Sequence, residues 1–125
     1  MAKILIVDDD EKMRWLYQDI LSSEGFDVLT AGNGEDGLKL AIENKPDLIL
    51  LDVMMPHKKG SEMSEDLLDN NRTKDIPVIY LTSIITEEEV KAQQGKVSGR
   101  FIISKSSNRA ELVRRINEVL LAGGR

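Results

Sequence analysis

Short apolar runs that alternate with longer segments of helical period predict an α/β protein built on a parallel sheet. Two observations carry the prediction. Apolar runs of strand length recur along the chain, and glycine, proline or Asn-Gly stands at nearly every junction between a run and the segment that follows it. At 125 residues the chain matches the common size of one domain, so residues 1–125 are expected to form a single unit.

The runs are residues 3–7 (KILIV), 27–30 (DVLT), 48–51 (LILL), 78–81 (VIYL) and 100–103 (RFII). The first and third are almost wholly apolar, as strands covered on both faces should be. Between them, residues 11–23 place Met13, Leu16, Tyr17, Ile20 and Leu21 at helical spacing, and residues 34–43 do the same with Leu38, Ala41 and Ile42. Residues 61–70 carry Met63, Leu67 and Leu68, and residues 107–122 read as a final helix. Residues 86–94 open on a Thr followed by Glu, a helix-start pattern, but their apolar content is nearly Val90 and Ala92 alone. That helix is expected to be short or mobile. Gly123-Gly124 ends the last helix or opens a linker, so residues 123–125 are read as a tail or a linker start.

Composition narrows the function. Hydrophobic residues at 41% and charged residues at 31% describe an ordinary globular chain. A formal charge of −5 and the lack of a long basic run disfavour direct nucleic-acid or anionic-membrane binding. The chain has no cysteine, hence no disulfide framework or thiol nucleophile, which fits a cytoplasmic setting. AKILIV runs at once into DDD, too short and too quickly acidic for a signal peptide or membrane span.

In an open parallel sheet, ligands bind outside the carboxyl ends of the strands. The residues following each run are therefore the informative ones. Asp8, Asp9 and Asp10 follow the first, Asp52 the third, Thr82 and Ser83 the fourth, and Ser104-Lys105 the fifth. Carboxylates gathered this closely need a bound cation or raised pKa values, and a hard divalent cation such as Mg²⁺ suits an oxygen-only donor set. Asp52, ending a buried strand, can act as a nucleophile toward phosphorus; Lys105 adds a second cation, and the Thr82 hydroxyl can donate to a phosphoryl oxygen. Asp10 reads as the cap of the first helix. His57 has no second ligand nearby and reads as a surface-loop residue, Met54, Met55 and Met63 as packing, and Trp15 as packing or a partner contact. Gly32-Asn33-Gly34 lacks the Lys-Ser/Thr of a nucleotide-binding loop.

Taken together, ILIVDDD, TAGNGEDGL, PDLILLDVMMP, Gly60, PVIYLTS and the late Lys105 resemble a response-regulator receiver domain of two-component signal transduction, the CheY-like family, over almost the whole chain. The resemblance implies a flavodoxin-like, doubly wound, five-stranded parallel sheet of order 2-1-3-4-5 with five helices, an order for which chemotaxis receivers are themselves a standard example. It further implies Asp9 as a direct Mg²⁺ (or Mn²⁺) ligand, Asp8 as a ligand through water, and Asp52 and the Met54 carbonyl as further ligands. Asp52 becomes the phosphoacceptor, Thr82 the switch hydroxyl and Lys105 the cation that pairs with the phosphoryl group. The donor would be a phosphohistidine on a sensor histidine kinase or phosphotransfer protein, and a downstream effector would read the switched surface. The resemblance also leaves room for a homodimer through the fourth and fifth helices. No enzyme activity beyond self-phosphorylation and self-dephosphorylation is implied.

The sequence departs from the family pattern after the fourth strand. Ser106 replaces the usual proline after the lysine, Ile102 stands where an aromatic switch partner is usual, and Phe101 falls on the opposite strand face. The stretch from Gly95 to Lys105 is slightly longer than the family norm, and Lys58-Lys59 precede Gly60 where an acidic residue is frequent. Two other readings compete: a degenerate receiver used as a constitutive interaction module, and a small metal-dependent phosphohydrolase. The complete acid set argues against the first, and the second has no visible substrate cap or acid/base partner.

Overall fold

Strands β1 (Lys3–Val7), β2 (Asp27–Ala31), β3 (Leu48–Asp52), β4 (Val78–Thr82), β5 (Lys96–Val97) and β6 (Arg100–Ser104) form one sheet of order β2-β1-β3-β4-β6-β5. The structure is a computed structural model that describes residues 2–52, 60–83, 96–97, 100–105 and 107–123. β3, every residue of which is buried, lies between β1 and β4, where its unbroken apolar run is covered on both faces. β2-β1-β3-β4-β6 pair in parallel, which confirms the five-stranded order expected from the resemblance. One strand was not foreseen. β5 pairs antiparallel with β6 through Lys96 opposite Phe101 and Val97 opposite Arg100, so the longer stretch before Lys105 adds a short edge strand.

Four helices lie among the described residues: α1 (Glu11–Ser23), α2 (Gly34–Asn44), α3 (Gly60–Leu68) and α4 (Arg109–Gly123). The expected helix at 86–94 lies outside the described residues, as do His57, Lys58, Lys59 and Ser106. Asp10 caps α1 by accepting from the Lys12 and Met13 amides, and Asn33 caps α2 by accepting from Asp36. α3 starts at Gly60 and stops at Leu68, shorter than its predicted span, because residues 69–75 turn back on Thr73, whose hydroxyl donates to the Leu67 carbonyl at 2.6 Å.

The period-2 alternation of the strands divides the core. Ile4, Ile6, Leu50, Ile79, Leu81 and Ile103 face α1 and α4, meeting Tyr17, Leu21, Leu112 and Ile116. Leu5, Val7, Ile49, Leu51 and Tyr80 face α2 and α3, meeting Ala41, Met63 and Leu67. Phe101 joins the first cluster and Ile102 the second, as their strand parity requires. Among the expected helix-face residues, Leu16 is 42% and Leu68 61% exposed, each at the margin of its apolar stripe. Trp15 is 68% exposed and belongs to neither cluster of the described residues.

α2 approaches β1 closely through Gly37, where a Cβ would lie 2.8 Å from Val7 Cγ2 and 3.0 Å from Met63 Cε. The missing side chain lets the helix settle directly on the sheet. No helix among the described residues is long and apolar enough to cross a membrane.

Candidate functional site

Parallel pairing brings the C-terminal ends of β1, β3, β4 and β6 to one edge, and the polar residues that follow their apolar runs converge there. Asp52 is the last residue of β3 and pairs with Leu81, which leaves its carboxyl at the rim of a fully packed strand. Thr82 ends β4 opposite Ser104 of β6, and both are buried. The Lys105 amide donates to the Thr82 carbonyl at 2.8 Å, which carries the ladder one residue past β6 and aims Lys105 at the acids.

Lys105 Nζ lies 3.0 Å from Asp8 Oδ2 and 3.3 Å from Asp52 Oδ2, with the lysine side chain only 17% exposed. One ammonium thus bridges two buried carboxylates. Asp8 Oδ1 accepts from the Asp10 amide at 2.9 Å. Asp8 Oδ2 is buried and, despite its ion pair, receives no well-directed hydrogen bond. Asp9 is exposed, yet one oxygen each from Asp8, Asp9 and Asp52 lie within 4.8 Å of one another.

The electrostatics follow from this crowding. Burial, and then the Asp52 charge, raise the Asp8 carboxyl above the ordinary value of 3.8, although the Asp10 amide and Lys105 oppose the rise. Asp9 is raised by desolvation and by the Asp52 carboxyl beside it. Lys105 is raised as well: burial disfavours its charge, but the close contacts and charges of Asp8 and Asp52 outweigh burial and favour the ammonium. Among the described residues a single ammonium therefore faces three acids and leaves them under-compensated. A hard divalent cation fits this set, since every side-chain donor is a carboxylate oxygen and one buried oxygen lacks a well-directed hydrogen bond.

Of the residues singled out from sequence, Asp8, Asp9, Asp52 and Lys105 come together, and Thr82 stands on the adjoining strand end. Met54 lies outside the described residues. Two neighbours escaped the sequence reading. Tyr17 was read only as an apolar position, yet its buried hydroxyl is pushed well above its usual range by burial and then by the Asp8 and Asp52 charges. Arg14 Nη1 donates to the Asp8 carbonyl at 2.8 Å. Its only signal in the sequence is an arginine one helical turn after the acid run.

A parallel sheet of this order, with a carboxylate cluster and one bridging lysine at its carboxyl edge, defines the receiver class of signalling domains. The family model for the response regulator receiver domain matches residues 4–117, and the chain belongs to that family. PilH of Pseudomonas aeruginosa is 37% identical over 121 residues, covering 96% of this chain and 98% of that protein. The transcriptional regulatory protein CpxR of Klebsiella pneumoniae is 39% identical over 120 residues, but the match covers 96% of this chain and only 50% of that protein, so the chain spans about half of its length. Among solved structures, chemotaxis protein CheY4 of Vibrio cholerae superposes with a TM-score of 0.82 at 32% identity, covering 95% of this chain and 98% of that one. A response regulator from Desulfuromonas acetoxidans gives 0.80 at 31% identity, covering 97% and 98%.

Proposed function

We propose that this receiver takes a phosphoryl group from a phosphohistidine onto Asp52. The observation that carries the proposal is the Lys105 ammonium set between Asp8 and Asp52, beside the Asp9 carboxyl. In the transfer, an Asp52 oxygen forms a bond to phosphorus while the P–N bond to the donor imidazole breaks. The electron pair stays on the departing nitrogen, which takes up a proton. Burial under-solvates the Asp52 carboxylate and keeps it at the strand end, where β3 pairing limits its motion. Lys105 holds the carboxylate before transfer and pairs with a phosphoryl oxygen afterwards. Asp9 and Asp52 would hold Mg²⁺ or Mn²⁺ directly, with the Met54 carbonyl, and Asp8 would do so through water. The chemistry that this ion supplies when bound is neutralisation of charge between the acids and the incoming phosphoryl oxygens.

Thr82 is then the hydroxyl that turns toward the phosphoryl group, drawing in the segment after β4 and altering the surface near β6. With Ile102 on the α2 and α3 side of the sheet and no aromatic there on β6, movement of Thr82 has no ring to exchange places with. Hydrolysis of the acyl phosphate resets the switch, and turnover of a foreign substrate is not part of the reading. The donor is a sensor histidine kinase or phosphotransfer protein, and the output is a protein effector rather than nucleic acid contacted directly. Residues 1–125 act as one receiver in the cytoplasm, the residues after α4 serve as a tail or linker start, and a homodimer would use the expected helix at 86–94 together with α4.

Wild type and Asp52→Ala, incubated with acetyl phosphate with and without Mg²⁺, test the proposal by intact mass. A phosphoryl adduct that requires both Asp52 and Mg²⁺ is expected. A folded wild type that takes up no phosphoryl group would overturn it.

A further inference from the structure

Asp8 is held from several directions, and the peptide that joins it to Asp9 is held at its carbonyl. The Asp8 amide donates to the Ala31 carbonyl at the end of β2, 3.1 Å away, and the Asp8 side chain accepts from the Asp10 amide at 2.9 Å. Its carbonyl accepts from Arg14 Nη1 at 2.8 Å. Arg14 reaches this carbonyl from α1 by crossing over Gly32, the residue that follows β2. A Cβ at Gly32 would lie 3.0 Å from Arg14 Nη1 and 3.5 Å from Cζ. Gly25 is the only described glycine with a positive φ, so at position 32 backbone freedom is not what the missing side chain supplies. It supplies room for the guanidinium.

The Asp8 carbonyl and the Asp9 amide belong to one rigid plane, so anchoring the carbonyl sets the direction in which Asp9 leaves β1. Asp52 has strand pairing to hold it, and Asp8 is buried; Asp9 is exposed and lies beyond the last residue of β1. Asp9 is thus the member of the cluster whose place depends most on this anchor. We infer that Arg14, in the space left by Gly32, is a positioning residue that sets Asp9 against Asp8 and Asp52 for a divalent cation. The inference rests on the metal reading of the acid cluster given above.

Mg²⁺ titrations of the full chain followed by NMR, on wild type, Arg14→Gln, Gly32→Ala, the double variant and Asp9→Asn, test it. Arg14→Gln and Gly32→Ala should each weaken Mg²⁺ binding about tenfold, the scale on which groups that orient metal ligands act. Both should move the Asp8 carbonyl carbon and Asp9 amide nitrogen resonances, while the core amides of Leu50 and Leu81 stay in place and report an intact fold. Since Gly32→Ala acts only by displacing the guanidinium, the double variant should bind no more weakly than Arg14→Gln. The inference is overturned if Arg14→Gln binds Mg²⁺ within about twofold of wild type, or if Gly32→Ala costs as much without Arg14 as with it. Wild-type binding that Asp9→Asn leaves undiminished would overturn the metal reading beneath it instead.

Discussion

Replacing Lys105 by methionine removes a cation in contact with two buried carboxylates while keeping most of the side-chain volume. With Nζ 3.0 Å from Asp8 and 3.3 Å from Asp52, each contact is worth a gross attraction of about 5 kcal/mol at an effective dielectric constant of about 20. Much of that offsets the cost of burying the charges. The loss that remains is set by the carboxylates left uncompensated, which for a buried pair comes to about 3 kcal/mol. Asp8 has no measurable exposure and Asp52 is 3% exposed, so water cannot replace the ammonium. Urea unfolding in EDTA should show the loss as a lower midpoint at unchanged slope, and thermal unfolding as a drop of roughly 10 °C. Saturating Mg²⁺ should narrow the gap between variant and wild type, because the ion compensates the same oxygens, and the variant should bind it more tightly once the competing ammonium is gone. A metal-free loss below about 1 kcal/mol would refute the reasoning, placing Lys105 among solvated surface pairs.

Two further outcomes follow from the same geometry. Asp8 holds its proton to higher pH in the folded chain than in the unfolded one, so its ionisation penalises the fold above pH 3.8 and the penalty is complete once pH passes the raised value. Asp8→Asn should therefore gain on metal-free wild type as pH rises through that window, by urea unfolding at stepped pH; a difference that shrinks with rising pH would contradict the burial argument. Gly37→Ala should cost about 1–3 kcal/mol, since its methyl would stand 2.8 Å from Val7 Cγ2, and a midpoint equal to wild type would mean that α2 can lift from the sheet without penalty.

Much of the fold was legible because its causes are local. The unbroken LILL run, short and flanked by turn residues, reads as a covered strand, and residues such as Leu21, Ala41 and Met63 repeat with a helical period that makes one face apolar. Asp10 was readable as a cap because capping depends on a side chain and the next few amides. Strand order was different: it came from the family resemblance, since nothing in a run of apolar residues says which neighbour it will pair with. Four strand boundaries moved for the same reason. β2, β3, β4 and β6 each extend one residue further, through Ala31, Asp52, Thr82 and Ser104, because ladder pairing continues past the end of each run.

What the sequence by itself determined is the set of reactive groups and the edge to which they belong: Asp8, Asp9, Asp52, Thr82 and Lys105 each follow an apolar run, and parallel strands share one direction. Tertiary structure alone decided their pairing. That Lys105 bridges Asp8 and Asp52, that Arg14 fills the space over Gly32 to reach the Asp8 carbonyl, that Tyr17 lies under the acids, and that a two-residue strand closes the sheet beside β6 are all consequences of contacts between distant segments. Periodicity and composition act over a few residues along the chain, whereas these contacts depend on helix placement and side-chain reach across the sheet.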